Sequence, residues 1–152
     1  MSKKRKTRVY LAGPWFTPDA AIIHRFAKDV IKSCDKVIGI FPDEMSKGCT
    51  PRQTFDNNVE AIKNCDLVIA LVDVKDVGTA WEIGMAYKLN KKIVLLGVDE
   101  DTFKSKTNLM LAFTGTTLSA KYLKDYLDDP TQFTPYYVYS ETNWEGIEWL
   151  LQ

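Results

Sequence analysis

The chain has 152 residues, 45% hydrophobic and 26% charged, and its 20 basic and 20 acidic residues cancel to a formal net charge of zero. One domain is the prior for that length, and the composition excludes a disordered, collagen-like or coiled-coil protein. With no global field to draw it toward nucleic acid or an anionic membrane, neither is an expected partner. The basic run Lys3-Lys4-Arg5-Lys6 reads as a solvated tail over residues 1–6, leaving 7–152 as a single α/β domain.

No apolar stretch approaches the roughly 20 residues a membrane span needs, and no signal-peptide core follows the basic start, so a cytoplasmic location is expected. Three cysteines without CxxC spacing (Cys34, Cys49, Cys65) fit reduced thiols rather than a disulfide framework or zinc ribbon. The single histidine, His24, leaves no multi-histidine metal site; beside Arg25 in a helical pattern it reads as a surface or half-buried structural residue. No cofactor and no metal are expected.

In chain order, Thr7 to Ala12 reads as a strand running into Gly13-Pro14. Thr17-Pro18-Asp19 then supplies a cap, a first-turn proline and a first-turn acid for a helix reaching about Ser33, with Ile22, Ile23, Phe26, Ala27, Val30 and Ile31 as its apolar stripe. Val37 to Phe41 is a second strand, residues 43–50 a loop and candidate lid, and Pro51 to Asn64 a helix with Val59 and Ile62 inward. The continuous apolar run Leu67 to Val72 reads as a strand buried on both faces; a loop from Asp73 to Gly78, a helix from Thr79 to Leu89 and a strand from Lys92 to Gly97 follow. Beyond Asp99 the pattern predicts a short helix near Asn108 to Ala112, a strand around Gly115 to Leu118, a helix from about Ser119 and a final amphipathic segment, Trp144 to Leu151. This β-α alternation requires right-handed crossovers and predicts one doubly wound, flavodoxin- or Rossmann-like parallel sheet of five strands with helices on both faces. Ligands of such sheets bind beyond the carboxyl ends of the strands, where strand order reverses.

Two segments there can carry chemistry. In Asp76-Val77-Gly78-Thr79-Ala80-Trp81-Glu82-Ile83-Gly84 an acid and a glycine turn precede a helix whose first turn holds Glu82. A carboxylate at a helix N-terminus stays ionised, as a nucleophile must be; the competing reading is that Thr79 and Glu82 merely form a capping box. In Gly13-Pro14-Trp15-Phe16 the aromatic pair replaces the glycines of a phosphate cradle, and neither GxGxxG nor the P-loop pattern occurs anywhere. Trp15 and Phe16 suit a flat uncharged ring, stacking being worth about 1–3 kcal/mol per base, unless they only staple the first helix hydrophobically.

Together with Asn108-Leu109-Met110, these segments resemble the three signature segments of nucleoside 2-deoxyribosyltransferases, in the same order and at similar spacing over about residues 7–115. The resemblance implies that Glu82 is the nucleophile that attacks the anomeric carbon of a 2'-deoxynucleoside and holds deoxyribose as a covalent ester until another base takes it, with retention. It implies further that Tyr10 orients that nucleophile, that Asp76 binds the sugar hydroxyls, and that Trp15 and Phe16 line the base site. Gly13, Gly78 and Met110 belong to the same substrate-binding segments. Asn108 matches a residue lent to a neighbouring subunit, so the expected partners are 2'-deoxynucleosides, free purine or pyrimidine bases and further copies of the chain. Where many members carry an acid eight residues before Asp66 that helps protonate the leaving base, this chain has Asn58, which cannot donate a proton. Asp56 is the nearest substitute, although positions two apart on a helix do not share a face. The C-terminus departs as well, because Tyr136-Tyr137-Val138-Tyr139 is followed by a further segment ending at Gln152.

Two readings compete with base exchange: hydrolysis of a nucleoside or nucleotide on the same fold, and a non-catalytic nucleotide-sensing domain. The first loop lacks the Gly/Ser/Arg-rich character of a 5'-phosphate site, which favours nucleosides. A sensing domain predicts that Glu82 has no acidic or tyrosyl neighbour.

Overall fold

The computed structural model describes residues 4–99, 101, 103 and 107–136. Five parallel strands, β1 Thr7–Ala12, β2 Val37–Ile40, β3 Leu67–Leu71, β4 Lys92–Gly97 and β5 Thr116–Ser119, form one sheet in the order β2-β1-β3-β4-β5. The order reverses between β1 and β3, so the crevice expected to hold ligand opens beyond Ala12 and Leu71. The helices are α1 Pro18–Ser33, α2 Pro42–Met45, α3 Pro51–Asn64, α4 Val77–Lys88, α5 Leu109–Ala112 and α6 Leu123–Asp128, with a 3₁₀ turn at Ala120–Tyr122. The doubly wound α/β expectation holds; the expected segment Trp144 to Leu151 lies outside the described residues.

Side-chain alternation along β1 decides what faces the site. Val9 and Leu11 join Ile23, Ala27 and Ile31 of α1 and Leu123, Tyr126 and Leu127 of α6 in one core layer. Tyr10 and Ala12 point to the other, with Ile62 of α3 and Ile83 and Ala86 of α4. Successive strand residues face opposite sides, so a tyrosine at position 10 is directed at the α3–α4 layer. β3 is buried at every position, as its unbroken apolar run demands.

Helix starts follow local chemistry. Thr17 caps α1 by accepting from Ala20 N, with Pro18 in the first turn, and Thr50 with Gln53 forms a complete capping box on α3. Three expectations need correction. Residues 43–50 are not wholly loop: Pro42 opens the short helix α2, which Lys28 and Lys32 of α1 clamp through Asp43 and Glu44 at 2.6–2.9 Å. Four helical residues show no periodicity, which is why pattern reading passes over them. His24 is not a surface residue; at 3% exposure it is buried in α1 beneath Trp15. The helix expected from Thr79 begins two residues earlier because Asp76, the stronger cap, takes the N-cap position, its carboxylate accepting from Thr79 N at 2.7 Å and Thr79 Oγ1 at 2.8 Å.

Candidate active site

The shifted start of α4 changes the electrostatics of Glu82. With Asp76 as cap and Val77 as the first helical residue, Glu82 lies in the second turn, past the reach of the helix dipole. Thr79 is inside the helix rather than at its cap, so the capping-box reading fails. The expectation that the helix terminus keeps Glu82 ionised fails with it. Burial pushes the Glu82 carboxyl up to about 7, the nearby charge of Asp76 adds to the rise, and the Tyr10 hydroxyl partly offsets both. Around neutral pH this carboxyl therefore sits between its charged and neutral forms, the range in which small environmental changes switch it.

Tyr10 is wholly buried, flanked by Ile40 on β2 and Val68 on β3. Burial and the adjacent Glu82 raise its phenol far above its ordinary value, so it remains a neutral donor. The two groups interact, yet neither Tyr10 Oη nor Glu82 Oε2 closes a regular hydrogen bond. Buried polar atoms seldom go unpaired, and a ligand hydroxyl between such a pair would satisfy both. Asp76 completes the acidic side, anchored through its cap bonds to Thr79. Glu82 thus has the tyrosyl and acidic neighbours that a sensing domain would lack.

The structure therefore brings Tyr10, Asp76 and Glu82 together. At the end of β1, Gly13 is fixed by contact: a Cβ there would come 2.7 Å from the Leu71 side chain, so the loop lies directly on β3. Gly78, in the first turn of α4, is exposed, and a Cβ would approach only Asp76 Oδ2, at 3.2 Å. Trp15 and Phe16 meet edge to face at 5.9 Å, with Trp15 37% and Phe16 70% exposed. Trp15 also packs on α1 through His24, at 5.8 Å between ring centroids, as a staple would; Phe16 is left facing solvent.

Asn58 is partly buried, and its Oδ1 lacks a hydrogen-bond partner. Asp56 lies on the exposed side of α3, paired with Arg52 at 2.9 Å, and is not gathered with Glu82. Asn108 caps α5 through Met110 N at 2.8 Å; it is exposed, and Met110 beside it is 79% exposed. Sequence reasoning missed the burial of His24 and its electrostatic contact with Asp43, for which Pro42-Asp43 directly after a strand was the sole signal. It also missed the tilted ring pair Phe55–Trp81, with centroids 5.5 Å apart and 47° between the planes, which joins α3 to α4.

The family model described as nucleoside 2-deoxyribosyltransferase matches residues 9–119. Among solved structures, a 2-deoxyribosyltransferase from Bacillus psychrosaccharolyticus superposes with a TM-score of 0.70 at 25% identity, covering 86% of this chain and 99% of that one. A Leishmania mexicana 2-deoxyribosyltransferase gives 0.61 at 23% identity, over 81% and 98% of the two chains. A Clostridium botulinum CMP N-glycosidase gives 0.57 at 24%, over 84% and 100%; these last two share the fold. No curated protein sequence matches the chain. Among the described residues no helix is long and apolar enough to cross a membrane.

Proposed function

We propose, since this chain belongs to the nucleoside 2-deoxyribosyltransferase family, that it exchanges the nucleobase of 2'-deoxyribonucleosides through a covalent 2-deoxyribosyl-Glu82 intermediate. The observation that carries this reading is half-buried Glu82, its Oε2 closed off from solvent, set against Tyr10 and Asp76 at the point where strand order reverses. In the first step a carboxylate oxygen of Glu82 bonds to the anomeric carbon as the bond from that carbon to the base nitrogen breaks, and the base leaves with the bonding pair and takes up a proton. In the second step the nitrogen of an incoming base attacks the anomeric carbon from the face the first base left, the ester bond to Glu82 breaks with its electron pair returning to the carboxylate, and the incoming base gives up its N–H proton, so two inversions give retention. Tyr10, neutral at all working pH, donates toward the carboxylate and holds it on line; Asp76 accepts from the sugar hydroxyls with the carboxylate oxygen left free of Thr79. Trp15, met edge-on by Phe16, offers the aromatic wall on which the base stacks, within the segment opened by Gly13.

The same reading makes the working form a homo-oligomer. Asn108 and Met110 reach outward from α5, which packs against α4, and Phe113 (53% exposed), Val77 (86%) and Trp81 (48%) add apolar surface that a second copy would cover. Asn108 then serves a neighbour's sugar site.

Incubation of deoxyinosine with free adenine should give deoxyadenosine, and omission of adenine should give little free deoxyribose. Fast hydrolysis in the control, with no transfer, would favour the N-glycosidase reading, for which the fold shared with the CMP N-glycosidase is the supporting observation. Mass spectrometry of enzyme quenched with a slow 2-fluoro nucleoside should find the sugar on Glu82.

A further inference from the structure

His24, the chain's one histidine, occupies an unusual place. It lies in the second turn of α1, 3% exposed, and the indole of Trp15 leans on its ring at 5.8 Å with 48° between the planes. The outer contact of Trp15, with Phe16, is edge-on to a residue that is itself 70% exposed. The imidazole is therefore an inner aromatic support of that wall.

Two polar atoms next to that support are buried without hydrogen-bond partners: Nε2 of His24 and Oδ1 of Asp43. The second oxygen of Asp43 is taken by Lys28 at 2.6 Å, and Lys28 also holds Glu44 at 2.9 Å. The charged groups that act on the imidazole are Asp43 from α2 and Lys28 from its own helix, whereas the neighbouring Arg25 is exposed. Burial, helped by Lys28 and opposed by Asp43, lowers the imidazole below its ordinary value, so the ring is neutral at neutral pH. A neutral ring can leave Nε2 as an unused acceptor. A protonated ring carries an N–H at both nitrogens, and a buried donor must find an acceptor. The free oxygen of Asp43 is the acceptor that the cluster keeps unused.

We propose that His24 is a positioning residue for the nucleobase, acting through Trp15: neutral, it backs the indole in the posture that stacks on the base; protonated, it turns to Asp43 and the wall loosens. Base affinity, rather than chemistry at Glu82, then falls in acid. The inference rests on the reading that Trp15 lines the base site, and it adds a specific role for a residue outside the three signature segments.

Calorimetry of free adenine binding between pH 5 and 8 tests it in Glu82→Gln protein, where the nucleophile no longer titrates. Affinity should fall by up to about tenfold per pH unit below the imidazole pKa, the limit for one coupled proton. In Glu82→Gln/His24→Phe, which keeps an aromatic support without a titrating group, that acid dependence should flatten. The single imidazole also gives one NMR titration curve, and saturating adenine should move its midpoint to lower pH by the same factor by which acid weakens binding, because linkage is reciprocal. An identical acid dependence with and without His24, or an imidazole midpoint unmoved by adenine, overturns the proposal; the NMR arm needs no substitution at His24 and so survives a misfolded variant. Absence of adenine binding to wild-type protein at pH 8 would instead remove the base-site reading, and this proposal with it.

Discussion

Replacing Glu82 by Gln should remove base exchange and make the protein more stable, and the gain should depend on pH. Burial and Asp76 raise this carboxyl from 4.5 to about 7 in the folded chain. A rise of that size corresponds to a preference for the neutral form of about 3 kcal/mol. Below pH 4.5 the carboxyl is protonated both folded and unfolded, so it costs the fold nothing. As pH rises from 4.5 through 7 the unfolded chain releases its proton first, and the native state loses stability until the folded carboxyl ionises as well. An amide of the same shape carries no such penalty. Partial access to water and the amide's own desolvation trim the ceiling, so we expect about 1–2 kcal/mol of added stability at pH 8, or roughly 3–6 °C in Tm for a chain of this size, and none at pH 4. Urea unfolding of both proteins at the two pH values measures it. A variant less stable at pH 8, or a difference that does not change with pH, would show that Glu82 is not desolvated as the structure places it. Gain of stability with loss of turnover is the pattern of a site strained for function.

Tyr10→Phe removes the group that favours the Glu82 carboxylate, so the acid limb of kcat/KM, set near 7 in the wild type, should move to higher pH and activity at neutral pH should fall, while stability changes by less than about 1 kcal/mol because the hydroxyl, though it interacts with Glu82, closes no regular hydrogen bond; a pH–rate profile beside a thermal melt separates the two effects. Asp76→Ala removes the cap of α4 and should cost about 1 kcal/mol, and by removing a negative charge it should lower the Glu82 limb; Asp76→Asn should restore the stability but not the limb. Asp56→Asn should leave both turnover and stability nearly unchanged, given its exposed pairing with Arg52, and a drop of about 10²-fold or more would instead identify it as the acid that protonates the base. Asn58→Asp should raise turnover if the unpartnered amide oxygen faces the base, which purine-donor kinetics would reveal.

Residue pattern by itself determined the parallel sheet, its five strands and the limits of α1 and α3, because these rest on local rules: unbroken apolar runs for strands buried on both faces, and Thr-Pro caps before periodic stripes. It also singled out Asp76 and Glu82, whose spacing in the segment after β3 is a property of the chain, while Tyr10 came from the resemblance to a family. What it could not determine was the state of those groups. Whether Glu82 is ionised depends on how many atoms exclude water from it and on which residue wins the N-cap of α4, a competition between Asp76 and Thr79 decided by two hydrogen bonds. The burial of His24 depends on Trp15 folding back over α1 and on α2 being clamped by lysines from another helix, contacts between separate elements that no single element's periodicity reports. Periodicity reports which face of an element is apolar; desolvation, and with it the charge of a carboxyl or an imidazole, is set by what tertiary packing lays across that face.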